Sequence, residues 1–278
     1  MLNFIKNNIF LLQMILEDEF GDILFKSIQG EKLTIETVSA QSQIPIDRLS
    51  QFRIYSAEPT IEEITRLATI LNLNVKALID ITKHSYEPCM FDYGTEIDGI
   101  RVVRVSGMAG GYPVYAYLII KDNECIIVDT TGDAHNVIKA VKKEHVTPLA
   151  VLITHSHGDH ISGIDKLKKK YDILCYGLDN SILKQVEDKT ILEFNSISIK
   201  VLYTPGHSKD SVTYIINNFF FVGDLIFAGS LGGGMYSYEL LVESAKTILS
   251  MQEHGDIFPG HGPKTSIKEE LEHNAFIV

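Results

Sequence analysis

The stretch Thr154-His155-Ser156-His157-Gly158-Asp159-His160 decides the fold of this chain. It follows directly on the apolar run 149–153, a pattern that predicts a buried strand. A loop that leaves the end of a strand can direct several side chains into one small volume. The imidazoles at i and i+2 can then reach one metal ion, while the carboxylate and the next imidazole reach a second ion about 3.5–4 Å away. A polar turn that is merely rich in histidine is the alternative, and the preceding strand disfavours it.

Three residues further along the chain have the same setting as this heptad. His207, Asp224 and His261 each follow a strand-like apolar run, and each has a glycine as neighbour, which lets the backbone approach closely. Any one of them alone would be an ordinary loop residue. Together with the heptad, they complete two sets of three metal ligands and add a carboxylate that can bridge two ions.

These motifs, in this order, resemble those of the metallo-β-lactamase superfamily, in its glyoxalase II-like hydrolase branch. The resemblance covers residues 95–278, roughly the last two thirds of the chain. It rests on the early strands 117–120 and 125–130, the heptad, Pro205-Gly206-His207, Gly223-Asp224, Pro259-Gly260-His261-Gly262-Pro263, the pair Glu269-Glu270 and Asn274-Ala275-Phe276. It implies an α/β fold, an αββα sandwich with the site at one edge of the paired sheets.

The resemblance also implies a metal centre with two ligand sets and a bridge. These are His155, His157 and His207; Asp159, His160 and His261; and Asp224 as the bridge. We expect two divalent ions in this centre, with zinc in first place and iron or manganese as alternatives. Asp159 and Asp224 would be the catalytic carboxylates.

The reaction that the resemblance implies is hydrolysis of an activated acyl compound, such as a thioester or an ester. A zinc-type ion lowers the pKa of bound water to about 7, so a metal-bound hydroxide serves as the nucleophile without a Ser, Cys or Lys side chain. Two alternatives remain open. One is a persulfide dioxygenase of the same fold, with a single iron ion held by the equivalents of His155, His207 and Asp224. The other is a transcriptional regulator whose metal domain senses a ligand.

Two segments rich in glycine and aromatic residues would flank the metal edge, namely 109–117 and 231–238. Tyr112 and Tyr115 in the first segment and Tyr236 in the second are candidates for contact with a small-molecule substrate. The alternative is that these tyrosines are half-buried packing residues.

The first part of the chain predicts an all-α bundle of four or five short helices. Residues 20–80 resemble the lambda-repressor-like helix-turn-helix family, and a capping box formed by Thr60 and Glu63 begins one of the helices. In that family the equivalent of segment 45–53 is the recognition helix, which would expose residue types that contact bases or phosphates. The side chains expected to contact DNA are Arg48, Gln51 and Arg53.

Two departures from the helix-turn-helix pattern bear on DNA binding. Gln43 stands where glycine is usual at the turn, and Arg53 stands where glutamate is usual. The formal net charge of −11 also disfavours non-specific binding of nucleic acid, because like charges repel at long range. A role in DNA binding and a role as a dimerisation module therefore both stay open.

The composition suits a globular protein of two domains, since 278 residues contain 45% hydrophobic and 22% charged side chains. We place a helical domain at 1–85 and a metal-binding domain at 90–278. The linker lies around Pro88, because proline disfavours helix continuation. We expect a chain that starts near residue 88 to fold and to keep its metal.

Cysteine usage and the N-terminus predict a cytoplasmic protein. Cys89, Cys125 and Cys175 have no ligand-like spacing, and the last two lie in apolar runs, so a disulfide framework or a cysteine zinc site is disfavoured. The apolar stretch 9–16 is too short for a membrane span and lacks the cleavage site of a signal peptide. It predicts an amphipathic helix over 3–16, and we expect a homodimer that forms partly through this helix.

Overall fold

The computed structural model describes residues 15–178 and 182–278. The amphipathic helix predicted over 3–16, and the dimer interface expected there, lie outside the described residues except for Ile15 and Leu16. Within the described ranges, no helix is long and apolar enough to cross a membrane.

Five helices precede the first strand in the part of the chain that the structure describes. They are α1 (Phe20–Gly30), α2 (Ile35–Ser42), α3 (Ile46–Arg53), α4 (Ile61–Ile70) and α5 (Val75–Thr82). The side chains of Thr60 and Glu63 form the predicted capping box at the start of α4. Gln43 ends α2 in the left-handed conformation, with a φ of 56°, which is the conformation that glycine adopts most readily. The assignment of these helices to the helix-turn-helix family stays a prediction.

Helix α3 exposes Gln51 and Arg53 but not Arg48. The guanidinium of Arg48 donates to both carboxylate oxygens of Glu63, at 3.0 and 3.1 Å, and to the backbone carbonyl of Glu58 at 2.7 Å. Contact of Arg48 with DNA stays a prediction, and in this structure the carboxylate of Glu63 binds its guanidinium. DNA binding through the rest of α3 stays a prediction.

The remainder of the described chain forms two large sheets and one small one. The first large sheet has the order β1 (Glu96–Ile97), β2 (Ile100–Ala109), β3 (Tyr112–Lys121), β4 (Glu124–Val128), β5 (Thr147–Leu152), β6 (Leu174–Gly177) and β7 (Lys184–Gln185). The second has the order β15 (Thr265–Ser266), β14 (Asp256–Pro259), β11 (Phe219–Gly223), β10 (Val212–Ile216), β9 (Ile197–Tyr203) and β8 (Ile191–Phe194). The small sheet pairs β12 (Ile226–Phe227) with β13 (Ser230–Leu231), and the helices are α6 (His135–Glu144), α7 (Gly158–Ile161), α8 (Ile164–Tyr171), α9 (Tyr238–Leu249) and α10 (Ile267–His273).

The two large sheets face each other across a hydrophobic core. Ile119 of β3 and Phe221 of β11 belong to one cluster of buried side chains between the sheets. The neighbouring Leu118 points to the opposite face of its sheet, where it packs with Val137 of α6 and Leu167 of α8. This alternation follows from the two-residue period of a strand. With α9 and α10 behind the second sheet, the layers are those of the predicted αββα sandwich.

The N-terminal helices share a third hydrophobic cluster with the outer face of the second sheet. Leu24 of α1 and Leu78 of α5 are fully buried in the same cluster as Phe220 of β11 and Ile248 of α9. The expectation that a chain starting near residue 88 folds alone is not supported, because that truncation would expose this apolar face to water. The helical part is built into the metal-binding part.

The cysteines occupy the environments that the sequence predicts. Cys125 and Cys175 are buried, Cys89 is exposed, and all three are free thiols. Burial raises the pKa of Cys125 to about 12 and that of Cys175 to about 11. Neither buried thiol is therefore a ready metal ligand or nucleophile, since those roles need the thiolate.

Candidate metal centre

Four strands bring the predicted ligands to the same edge of the sandwich. The loop after β5 and the start of α7 carry the heptad 154–160, and the loop after β9 carries His207. Asp224 follows β11 directly, and His261 follows β14. A residue that directly follows a strand is held in place by the end of that strand. The packing of the two sheets therefore positions the ligand side chains before any metal ion binds.

All seven predicted ligands lie close together. The side chains form three groups. Within each group, the potential ligand atoms lie within 4.8 Å of one another, so each group could hold a metal ion. The groups are His155, His157 and His207; His155, His160 and Asp224; and Asp159, His160 and His261. Because His155 and His160 each belong to two groups, the three groups form one continuous centre.

The carboxylate of Asp224 lies between the two ligand sets. Its Oδ1 is 3.4 Å from Nε2 of His160, and its Oδ2 is 3.5 Å from Nε2 of both His207 and His261. The carboxylate therefore lies beside members of both ligand sets, and Oδ2 alone is close to one histidine of each set. This is the position that a bridging ligand needs.

Four of the five histidines are held by a contact at Nδ1. Donation to a backbone carbonyl fixes the proton on Nδ1 and leaves the lone pair of Nε2 directed into the centre. The partners are Thr154 Oγ1 for His155 at 3.1 Å, Asp129 for His160 at 2.9 Å, the carbonyl of Gly233 for His207 at 2.9 Å and the carbonyl of Pro113 for His261 at 2.6 Å. His157 differs, since its own Nδ1 faces Nε2 of His207 at 2.9 Å.

Three buried polar atoms in the centre have no hydrogen-bond partner among the described residues. They are Nε2 of His155, Nε2 of His160 and Oδ1 of Asp224. Leaving a buried donor or acceptor unpaired costs about 1–3 kcal/mol, so three such atoms at one point indicate a missing partner. Imidazole nitrogen with carboxylate oxygen is a donor set that suits zinc, iron or manganese. The residues present fit the group that the sequence predicts.

The charges of the centre also suit a divalent cation. The hydrogen bond from His261 lowers the pKa of Asp159, and burial lowers the pKa of His155 well below its usual value. Burial opposes ionisation of Asp224, but the neighbouring His160 outweighs it and holds the pKa of Asp224 well below its usual range. The ionised carboxylates and the neutral imidazole of His155 are in the protonation states that metal binding requires. Burial opposes protonation of His160, but the charge of Asp224 outweighs it and raises the pKa of His160, so a cation that binds there displaces a proton from this ring.

Asp129 has a role that the sequence reasoning missed. From the sequence it was placed only within the early strand 125–130 and was given no role in the site. Its carboxylate accepts hydrogen bonds from the backbone N–H of Thr154 at 2.9 Å, the hydroxyl of Thr154 at 2.8 Å and Nδ1 of His160 at 2.9 Å. It adopts a φ of 60°, in the left-handed region that is uncommon for residues other than glycine. A buried acid at the end of a neighbouring strand was the available signal.

Two glycines make room for the bridging aspartate. A methyl group on Gly260 would lie 2.4 Å from Oδ1 of Asp224 and 2.5 Å from Cε1 of His160. A methyl group on Gly232 would lie 1.8 Å from the backbone oxygen of Asp224. The prediction that a glycine neighbour allows close backbone approach is confirmed at Gly260, which precedes His261, whereas Gly232 was not among the predicted glycines.

The three candidate substrate tyrosines have different surroundings. Tyr112 and Tyr236 have exposed fractions of 68% and 52% and remain candidates. Tyr115 has an exposed fraction of only 7%, and the guanidinium of Arg104 lies 4.4 Å from its ring centroid. This burial favours the packing alternative for Tyr115, and its contact with a substrate stays a prediction. The segment 109–117 is the tight β2–β3 hairpin, with β3 already beginning at Tyr112.

Comparison with known proteins assigns the fold to a family. The family model described as the metallo-beta-lactamase superfamily matches residues 109–176. The chain is 32% identical over 192 residues to "Probable metallo-hydrolase YqgX" of Bacillus subtilis (strain 168), which spans 58% of this chain and 91% of that protein. The chain belongs to the metallo-β-lactamase superfamily. Its His and Asp groups can bind a divalent metal, and it is a metallo-hydrolase of that superfamily.

Three further proteins are similar to part of this metallo-hydrolase. A hydroxyacylglutathione hydrolase from Francisella philomiragia is 35% identical over 159 residues, which cover 53% of this chain and 62% of that enzyme. The chain therefore spans less than two thirds of that relative. The crystal structure of the B3 metallo-beta-lactamase BLEG-1 matches with a TM-score of 0.58 and 29% identity, over 64% of this chain and 99% of that one. A structure of TTHA1623 in a di-iron-bound form matches with a TM-score of 0.55 and 25% identity, over 62% and 98% of the two chains.

Proposed function

We propose that this metallo-hydrolase carries a dinuclear centre and hydrolyses an activated acyl compound, a thioester in the first place. The observation that carries the proposal is the position of Asp224. Its carboxylate oxygens lie 3.4–3.5 Å from Nε2 of His160, His207 and His261, which belong to both ligand sets. A single-ion site would not need a carboxylate directed to two sides.

The residues that would hold the ions follow from the geometry. One ion would be held by the three histidines 155, 157 and 207, and the other by Asp159, His160 and His261, with Asp224 shared. When bound, such ions lower the pKa of a coordinated water to about 7 and polarise a substrate carbonyl. The di-iron form of TTHA1623 supports the dinuclear reading, and the metal of this chain is part of the proposal.

The work of the protein residues is to fix the donor atoms. Asp129 and the carbonyls of Pro113 and Gly233 hold three imidazole rings in one tautomer and orientation. Because such contacts orient the ligands before the ion arrives, their loss weakens metal binding by about 10–100-fold in comparable sites. Asp159 has a partly exposed side chain, at 25% of its full accessible area, so the centre opens to substrate on its side.

The thioester preference rests on relatives and on the shape of the protein. Several relatives are named hydroxyacylglutathione hydrolase, a name that denotes a thioester substrate. In this chain, a cleft of about 800 Å³ runs between α1 and the loop 233–238. Gly233 lines this cleft, and its backbone carbonyl accepts the hydrogen bond that orients the ligand His207.

A substrate panel tests the proposal. Protein purified without chelator would be assayed with a matched thioester, oxygen ester, lactone and phosphodiester, with oxygen consumption recorded in parallel. We expect thioester hydrolysis that a chelator abolishes and that added zinc, iron or manganese restores. Oxygen consumption with a persulfide, in protein that holds one iron ion, would replace the proposal with the dioxygenase alternative.

A further inference from the structure

The segment before α1 lies against the metal centre. Glu17 packs on Gly262, the residue that follows the ligand His261. A methyl group on Gly262 would lie 3.0 Å from Cβ of Glu17 and 3.3 Å from its backbone nitrogen. Gly262 has a φ of 72°, so both its conformation and this contact require glycine. The N-terminal helical part therefore reaches the rim of the site.

Asp18 fixes this segment in place. Its buried carboxylate accepts hydrogen bonds from the ammonium of Lys26 at 2.5 Å and from the hydroxyl of Ser230 at 2.6 Å. Lys26 also donates to the backbone carbonyl of Leu231 at 2.9 Å. These bonds tie α1 to β13, which leads directly into the loop beside the metal centre. Glu17 is thus held at a defined position next to the ligands.

The side chain of Glu17 has no partner of its own. It is half-buried, and it makes no hydrogen bond or ion pair within the described residues. Burial raises the pKa of Glu17 to about 7, while the nearby His261 acts in the opposite direction. Its charge also acts on the buried Tyr115 of β3. A half-buried carboxylate that receives no hydrogen bond from the protein can accept one from a ligand.

We propose that Glu17 is a substrate-binding residue that selects the charge of the group next to the reacting carbonyl. It would bind an ammonium or another N–H donor on the substrate and disfavour a carboxylate at that point, because like charges repel. This inference rests on the proposed function, since it assigns the substrate class of the same centre. It gives the N-terminal helical part a role in specificity.

The cleft beside the centre is consistent with this role. Lys26 of α1 and Gly233 of the facing loop both line it, and both also contact the immediate surroundings of the centre. The N-terminal helices therefore supply one wall of the space next to the ligands.

Binding of small thiols tests the proposal without any turnover. The metal-loaded full chain would be titrated by calorimetry with 2-mercaptoethylamine, 2-mercaptoethanol and mercaptoacetate, whose thiolates can bind zinc and whose other ends are cationic, neutral and anionic. We expect the wild type to bind the amine most tightly and the carboxylate least tightly. In Glu17→Gln, affinity for the amine should fall about tenfold and affinity for the carboxylate should rise several-fold, as one charge at this distance would give.

Two variants serve as controls. Glu17→Asp should keep the order of the three affinities, because the charge remains. Glu62→Gln, which changes an exposed acid on α4, should leave all three affinities unchanged. An equal effect of Glu17→Gln on all three thiols, or no thiol binding to the metal-loaded protein, would overturn the proposal. The protein could show charge-selective binding that depends on Glu17 and yet hydrolyse no thioester. That result would support this inference and overturn the proposed function.

Discussion

Oδ2 of Asp129 lies 2.9 Å from Nδ1 of His160. The same carboxylate holds the backbone and hydroxyl of Thr154, the residue that begins the ligand heptad. One buried acid therefore orients a metal ligand and also anchors the loop that carries four of the ligands. Asp129 should therefore have a large effect on metal binding, although it does not face the donor atoms of the set formed by His155, His157 and His207.

Asp129→Asn should weaken metal binding at the set formed by Asp159, His160 and His261. The amide keeps the shape but cannot accept all three hydrogen bonds, so His160 loses its fixed tautomer. We expect metal affinity to fall by about 10–100-fold, measured by competition with a chromophoric chelator. Asp133→Asn, an exposed acid near the same strand end, is the matched control. Equal affinity in the two variants would contradict the role of Asp129.

Gly260→Ala should prevent assembly of the centre. Its methyl group would lie 2.4 Å from Oδ1 of Asp224, closer than any stable contact, so the bridging carboxylate or His160 must move. Gly158→Ala is the matched control within the heptad, because its methyl group would meet only Oγ of Ser162 at 3.5 Å. We expect metal content and activity to be lost in the first variant and kept in the second. Full metal content in Gly260→Ala would show that the centre tolerates this displacement.

Glu270 should make stability depend on pH. Burial raises its pKa from 4.5 to about 7, so between these values the folded chain holds a proton that the unfolded chain loses. The contribution of this group to stability is then full below about pH 4.5 and is lost as the pH rises through about 7. The free energy of unfolding of the wild type, minus that of Glu270→Gln, should therefore fall by about 3 kcal/mol over this window.

Denaturant titration at several pH values measures this difference. The exposed Glu243→Gln is the control, and its difference from the wild type should stay constant with pH. If the wild type and Glu270→Gln show parallel pH profiles, Glu270 does not change its protonation on folding.

Removal of residues 1–87 should leave an insoluble or poorly folded chain. The N-terminal helices share a hydrophobic cluster with Phe220 of β11 and Ile248 of α9, and contacts across the junction include the hydrogen bond from the N–H of Asn74 to the carbonyl of Ala275 at 2.8 Å. Truncation would expose a large apolar face. Size-exclusion chromatography and thermal unfolding measure the outcome. A soluble truncated chain that melts cooperatively and binds metal would restore the view of two independent domains.

The metal centre could be predicted from the sequence because its ligands are local signals. The heptad 154–160 and the single residues His207, Asp224 and His261 each stand at the end of an apolar run. Strand ends in a layered fold meet at one edge, so residue types and spacing were enough to place these side chains together. The same reasoning predicted that Cys125 and Cys175 are buried and that a capping box begins α4.

The contacts that lie between distant segments could not be predicted in this way. Arg48 looks free in the sequence, but Glu63 binds it from the next helix. Tyr115 lies in a segment rich in glycine, but the strand pairing places it under Arg104. Glu17 stands far from every ligand along the chain, and only the packing of α1 against β13 brings it to the centre. Such relationships depend on how the helical part docks, which has no short motif.

Metal content measured together with thioester hydrolysis tests the central claim most directly. The wild type, His157→Ala, Asp224→Ala and the exposed control His135→Ala would be purified without chelator and compared. We predict about two divalent ions per chain in the wild type and the control. We also predict fewer ions in the two ligand variants, with activity lower by several orders of magnitude and the fold retained. A wild type that binds no metal, or a His157→Ala variant with wild-type turnover and metal content, would contradict the account.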